Sequence, residues 1–317
     1  FLKNRDLFSF NNIFLVRFVK IIIASLLMAI FFNFLITYFK YELAFNQNIK
    51  SFYLILSVIL SLLFYLLVSY LYYADRIYQI NLAIAGIAIS VVILPQLSKH
   101  IQSAKKKKIL LIQNKALELS FFLSLPATIA LMLGSEQIIS ALFGYGSFGK
   151  TSVNNSSLAL YYFAIGLPAF ALIKVFSSFF FANHDTKTPF YISFISVLLN
   201  ILISVYYFNE IGFIIIPIAT SISSWFNSLL LFIFLKNHKL FYFNEIFFVK
   251  FLKITIASIL MGLFFNFLLN FFQNELAFNE KIKSLYLILS VLLGFLFYLI
   301  VCYFMKAFKM SDIKLKY

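Results

Sequence analysis

Residues 69–100 read SYLYYADRIYQINLAIAGIAISVVILPQLSKH, and they place Asp75 and Arg76 at the head of an almost uninterrupted apolar run. A charged side chain in a segment that must cross lipid costs a few kcal/mol or more unless it faces a wet cavity or a charged ligand. Arg76 is therefore a functional candidate by default. The plainer alternative is an arginine that snorkels to the headgroups with Asp75 as its surface partner.

The rest of the chain agrees that lipid is the solvent. Its 317 residues are 63% apolar and 20% aromatic, with a mean hydropathy of +0.97. That excludes a soluble globular protein and indicates an all-α polytopic membrane protein. The net charge of +15 would suggest nucleic acid in a soluble chain. Here the lysines sit in short loops between apolar runs, which points to the positive-inside bias and to anionic lipid on the cytoplasmic face, with no nucleic-acid partner. Cys302 is the single cysteine, so there is no disulfide framework and no thiolate metal site. His100, His184 and His238 stand apart near helix ends and read as interfacial residues; no metal and no cofactor is expected.

Nine runs are long enough to span about 30 Å of hydrocarbon at 1.5 Å per residue. They are Ile21–Phe39, Phe52–Tyr73, Ile77–Pro95, Ala116–Gly134, Ser157–Ala182, Pro189–Phe208, Gly212–Leu235, Ile254–Phe272 and Leu285–Met305. Pro126, Pro168 and Pro217 interrupt three of them, which is tolerated where neighbours take up the freed carbonyls. Small residues within Ile84–Ser90 permit close helix approach.

An internal repeat sets the domain organisation. FLKNRDLFSFNNIFLVRFVK at the start returns as FLKNHKLFYFNEIFFVKFLK from Phe234, and YELAFNQNIKSFYLILSV returns as NELAFNEKIKSLYLILSV. The offset is constant, and roughly two positions in three are identical as far as Tyr70. Three domains are expected: residues 1–72 as a duplicated transmembrane hairpin, 73–238 as a helical bundle, and 239–317 as the terminal hairpin with its tail.

Charge bias gives the orientation. Lys99 and Lys105–Lys108 mark one cytoplasmic loop, and Lys236, Lys239, Lys250 and Lys253 another. Four spans separate them, so both fit inside, and the loops around Tyr145 and Glu275 fall outside. The basic head of the first hairpin does not fit this count. A long or kinked helix is therefore expected at the join; Phe52–Pro95 as one helix would measure about 66 Å.

Three stretches, in order, resemble one family. Tyr72-Tyr73-Ala74-Asp75-Arg76 with Leu94-Pro95-Gln96-Leu97-Ser98 is similar to the eighth transmembrane helix of the MurJ (MviN) family of lipid-linked peptidoglycan precursor flippases. Leu142-Phe143-Gly144-Tyr145-Gly146-Ser147-Phe148 is similar to its external loop, and Asp185-Thr186-Lys187-Thr188-Pro189, after Lys174, to its cytoplasmic loop. The resemblance implies half of a MurJ-like exporter bundle, its C-terminal part (helices eight to fourteen), in the bacterial cytoplasmic (inner) membrane. It implies a transporter of lipid II and not an enzyme.

The resemblance also places Arg76 as a cavity arginine for the pyrophosphate and Ser69 at a cavity-lining position. An arginine fork suits a diphosphate through paired, charge-assisted hydrogen bonds, and Asp75 could orient it. Lys174, well inside its run, could bind phosphate or snorkel. Asp185 to Pro189 reads as a loop that caps the next helix. Glu118 is expected to pair with lysine, and Asn200, Asn227, Ser223 and Ser224 to bond between helices. Phe1 is not a start methionine, so a fragment of a longer frame is expected. The family's N-terminal lobe is not in residues 1–68, so the chain alone is expected not to transport. A membrane-embedded glycosyl or acyl transferase is the alternative from another class, but the acids are scattered without the clustering such an enzyme needs. Another polysaccharide-lipid exporter, or a fusion product that only inserts, completes the set.

Overall fold

The computed structural model describes residues 28–39, 47–103 and 106–307. Two compact units are present, residues 1–70 and 71–317, and the division falls where the repeat ends. In the first, α1 (Met28–Tyr38) is followed by Phe39, whose ring lies 5.0 Å from that of Tyr53 in α2 (Gln47–Leu82). The expected span Ile21–Phe39 lies partly outside the described residues. The join lies within α2, a 36-residue helix that leads into a π-helical turn at Ala83–Ala88 and then α3 (Ile89–Gln102).

The second unit continues with α4 (Lys106–Leu133), the short α5 (Ser135–Phe143), α6 (Lys150–Ala182), α7 (Lys187–Ile211), α8 (Ile215–Asn237), α9 (Glu245–Phe271) and α10 (Lys283–Phe304). Among the described residues there is no strand. Among the described residues six segments are long and apolar enough to cross a membrane. One of them, Lys187–Asn237, is folded in two at Gly212, whose φ of 73° suits a residue without Cβ. Helices α7 and α8 pack side by side beyond that turn, so the seven spans expected from Ile77 onward are all present.

Helix α6 is the centre of this unit. It packs against α8 and α4, and α4 in turn carries the α9–α10 hairpin. One core cluster gathers Ala74, Tyr78, Phe122, Leu160, Phe265 and Tyr298. The other gathers Ile93, Leu97, Ile112, Phe179, Leu235 and Phe241. The ends also sort as the charge bias requires. Lys283 at the start of α10 reaches Gly144 of the α5–α6 loop, which puts the two loops expected outside at one end of the bundle. Gln113 and Asn114 bond the carbonyls of Leu240 and Tyr242, which puts both lysine-rich loops together.

Broken backbone is repaired by neighbours, since nothing in hydrocarbon can take a free carbonyl. Pro126 has no N–H for the carbonyl of Phe122 one turn earlier. The Tyr298 hydroxyl of α10 donates to that oxygen at 2.8 Å. In the π-helical turn the Ala85 carbonyl accepts the Ser120 hydroxyl of α4 at 3.1 Å. Glu118, 8% exposed, takes the Lys250 ammonium of α9 at 2.7 Å, a lysine partner as expected. Asn200 bonds Thr220 and Ser223 across α7 and α8, as expected of polar residues in spans.

Tyr298→Phe should cost about 1 kcal/mol, because the Phe122 carbonyl loses its donor. Pro126→Ala returns a backbone N–H to the same oxygen. In thermal unfolding in detergent, Tyr298→Phe should therefore lower Tm less on the Pro126→Ala background than on the parent. Equal losses on both would mean the bond does not answer the proline.

Candidate functional site

The residues Tyr72 to Arg76 fan out in different directions from one helical turn. Tyr73 sits against Phe143 and Phe148 of the external loop, with ring centroids 4.8 and 4.9 Å away. Ala74 is fully buried. Asp75 is half-buried and accepts a short hydrogen bond from the Gln79 amide one turn on. The Arg76 guanidinium lies 4.7 Å over the Tyr72 ring, a cation–π contact that replaces part of its lost hydration.

Arg76 is half-buried, and its Nε is buried without a hydrogen-bond partner. Among the described residues no carboxylate pairs with it. Asp75, expected to orient it, is instead engaged by Gln79. Ser69 lies two turns earlier in the same helix and belongs to the first unit.

Lys174 stands on the exposed side of α6. Its backbone carbonyl accepts the Ser90 hydroxyl at 3.1 Å, and its stem passes Gly86, where an added Cβ would lie 3.4 Å from Lys174 Cγ and 3.1 Å from Ala171 Cα. Gly86 is ten residues beyond Arg76, roughly 15 Å along a helix axis. The structure therefore does not bring Arg76 and Lys174 together. They stand at different levels of the bundle, Arg76 toward the end that carries the α5–α6 loop and Lys174, on α6, toward the end that carries the lysine-rich loops.

The Asp185 to Pro189 stretch opens α7. Asp185 Oδ1 accepts the backbone N–H groups of Lys187 and Thr188 at 3.1 and 3.0 Å, and Pro189 is buried in the first turn. Desolvation pushes the Asp185 carboxyl up, but the bonds from Thr188 and Lys187 and the nearby His238 outweigh it. Its pKa is held below the ordinary aspartate value. No group of three or more metal-ligating side chains occurs among the described residues.

Two features were missed from sequence. A cavity of about 560 Å³, lined almost wholly by apolar atoms, opens between the π-helical turn, α4, α5 and the α9–α10 hairpin. Beside it Lys283 is buried with its ammonium on two backbone carbonyls. A lysine in a polar turn carries no sign of such burial in its sequence.

An all-α bundle with several helices long and apolar enough to cross a membrane, and with an arginine inside one of them that no carboxylate pairs with among the described residues, has the make-up of a polytopic membrane protein. Residues 54–287 match the family model described as Lipid II flippase MurJ. The chain belongs to the MurJ family, whose members are transporters and not enzymes, and it is a multi-pass protein of the bacterial inner membrane. It is 38% identical over 174 residues to a probable lipid II flippase MurJ of Rickettsia prowazekii, covering 55% of this chain and 34% of the relative. A Rhizobium meliloti relative with the same description is 41% identical over 167 residues, covering 52% of this chain and 31% of the relative. A solved lipid II flippase MurJ in an inward closed conformation superposes with a TM-score of 0.62 at 27% identity, over 76% of this chain and 47% of that one. The matched part of the chain thus spans about a third of those curated relatives' length.

The Asp185 cap gives a pH test. A carboxyl whose pKa is lowered on folding stabilises above its unfolded value, and that contribution is lost as pH falls through the folded value. Asp185→Ala should cost about 1 kcal/mol at neutral pH, and its gap from the parent should shrink in acid below the ordinary aspartate range. Asp185→Asn caps without titrating and should not follow that pH trend in thermal unfolding.

Proposed function

We propose that residues 69–305 are the C-terminal lobe of a flippase that moves a lipid-linked peptidoglycan precursor across the inner membrane, with Arg76 contacting its pyrophosphate. The observation that carries this reading is a half-buried guanidinium with a buried, unpartnered Nε and no carboxylate in ion-pair contact with it among the described residues. Such a group is costly in a span unless an anion visits it. A diphosphate supplies the charge and the paired acceptors that the planar fork matches.

Lys174 is the second cation of the path, placed about three turns of helix nearer the cytoplasm. Its compact ammonium can attract a phosphate without fixing its orientation. Asp75 and Gln79 offer an acceptor and an amide for the sugar part of the headgroup. Ser69 and the Asp185 to Pro189 loop complete the set, the first as a cavity-lining hydroxyl and the second as the cytoplasmic hinge between α6 and α7. At the cytoplasmic end, exposed Lys99, Lys106, Lys107, Lys108, Lys236 and Lys239 attract anionic lipid. The first 70 residues repeat the terminal hairpin and bring no second copy of the Arg76 segment. Residues 1–317 tested alone therefore supply one wall of the path and do not transport.

The test joins the part of the Rickettsia prowazekii relative that precedes its aligned region to residues 69–317 and asks whether a MurJ-depleted bacterium grows. Growth is expected to return with the hybrid and not with residues 1–317. Arg76→Ala should lower colony formation at least a hundredfold at equal membrane abundance, and Arg76→Lys less. Full growth with Arg76→Ala would sink the pyrophosphate role.

A further inference from the structure

Lys283 stands at the first turn of α10 and is 1% exposed. Its ammonium donates to the carbonyl of Gly144 at 2.8 Å and of Phe278 at 2.6 Å. The rings of Tyr145 and Phe278 close over it at 4.4 and 4.6 Å. No carboxylate is in ion-pair contact with it among the described residues. Carbonyl dipoles and ring faces thus do the work that an acid does for Lys250.

The next residue repeats the connection. The Ser284 hydroxyl donates to the Ala141 carbonyl at 2.7 Å and shares a hydrogen bond of 2.7 Å with the Tyr145 hydroxyl. Gly144 is what allows the approach. A Cβ there would lie 3.2 Å from the ammonium and 2.6 Å from the Ser140 carbonyl. The far side of the loop is held by Tyr73 against Phe143 and Phe148.

The apolar cavity begins one turn below these bonds. Leu287, four residues after Lys283, and Leu142, two before Gly144, line it from facing helices, with Ile138 and Val291 a turn deeper. Whatever separates α5 from α10 at this end must first break the Lys283 bond to Gly144 and the Ser284 bonds to Ala141 and Tyr145, while the Phe278 bond stays within the hairpin's own turn. Gly146 of the α5–α6 loop has a φ of 62° and open space around it, so no side chain there adds to the hold.

We propose that Lys283, Ser284, Gly144 and Tyr145 form an external latch that holds α5 against α10 and sets access to the apolar cavity between them. Lys283 is a positioning residue here: it acts through the loop and touches no cargo. The proposal concerns access to the cavity and does not depend on the headgroup reading, because it is tested without transport.

The full chain is reconstituted in phosphatidylethanolamine and phosphatidylglycerol vesicles on a Cys302→Ser background, the serine that the first copy of the repeat carries as Ser69. Leu287→Cys, at a site 5% exposed, reports on the cavity through its rate of reaction with a small methanethiosulfonate. Phe180→Cys, at a site fully buried in the other core, reports on general loosening. Lys283→Met should speed labelling at 287 at least tenfold and leave 180 unchanged. Tyr145→Leu, which leaves the hairpin's own sequence intact, should speed it several-fold. Parental rates at 287 in both variants would overturn the latch. So would a rise at both positions in Lys283→Met together with no rise at 287 in Tyr145→Leu, because the lysine would then only be holding the fold together.

Discussion

A carbonyl oxygen freed inside the hydrocarbon has no water to turn to, and that single constraint registers the helices of this protein against one another. Apolar side chains facing lipid gain little from facing another helix instead, so they give packing with weak direction. Points of broken backbone give direction. Pro126 binds α4 to α10 through Tyr298. The π-helical turn binds the Arg76-bearing segment to α4 through Ser120. Bonds to carbonyls of unbroken turns add to these: Ser221 donates to the Tyr162 carbonyl at 2.5 Å and the Trp225 indole to that of Ile165 at 3.0 Å, which binds α6 to α8. Irregularities that weaken each helix by itself thus become the places where two helices meet.

The same constraint sorts the cations. Lys250 is neutralised by Glu118 and therefore closed to any passing anion. Lys283 has no carboxylate partner among the described residues, but carbonyls and rings fill its surroundings. Arg76 has a ring on one side and an unpartnered Nε. Its fork has more donor capacity than Tyr72 can use, since a ring face accepts charge but cannot accept five hydrogen bonds. The sequence of satisfaction, Lys250 then Lys283 then Arg76, is the physical reason for placing cargo recognition at the last and conformational control at the second.

The spans were legible because a run of some twenty apolar residues has few alternatives in any solvent. So was the break between the spans at Gly212, and so was the grouping of the loops, since lysine placement sorts the lysine-rich loops to one end of the bundle. Arg76 could be singled out because a charge within an apolar run is conspicuous. Lys283 could not. It sits among Asn, Glu and Lys in a turn, where a solvated side chain is the ordinary outcome, and its burial depends on Gly144 and Tyr145, about 139 positions away. The π-helical turn was half visible: Ala85 and Gly86 were marked for close approach, but no local pattern announces the extra residue in the turn. The partner of Asp75 was misjudged for a similar reason, because a neighbour in sequence points to another face of a helix while the residue four positions on shares its face.

The repeat is more than a curiosity when set beside the packing of its second copy. Ile254, Ala257, Met261, Phe265, Leu287 and Tyr298, which the terminal hairpin buries, return unchanged as Ile21, Ala24, Met28, Phe32, Leu54 and Tyr65. Lys283 and Ser284 return as Lys50 and Ser51. Gly262 does not: the first copy has Ala29. A Cβ at Gly262 would lie 2.4 Å from Ile129 Cγ2, closer than two carbons can approach, and a β-branched side chain has little freedom to turn away. The first copy could therefore not take the second's place on α4 without moving one of the two helices. Among the positions at which the two copies differ, this added methyl is one that meets a neighbouring side chain directly and so separates two hairpins that share their buried face.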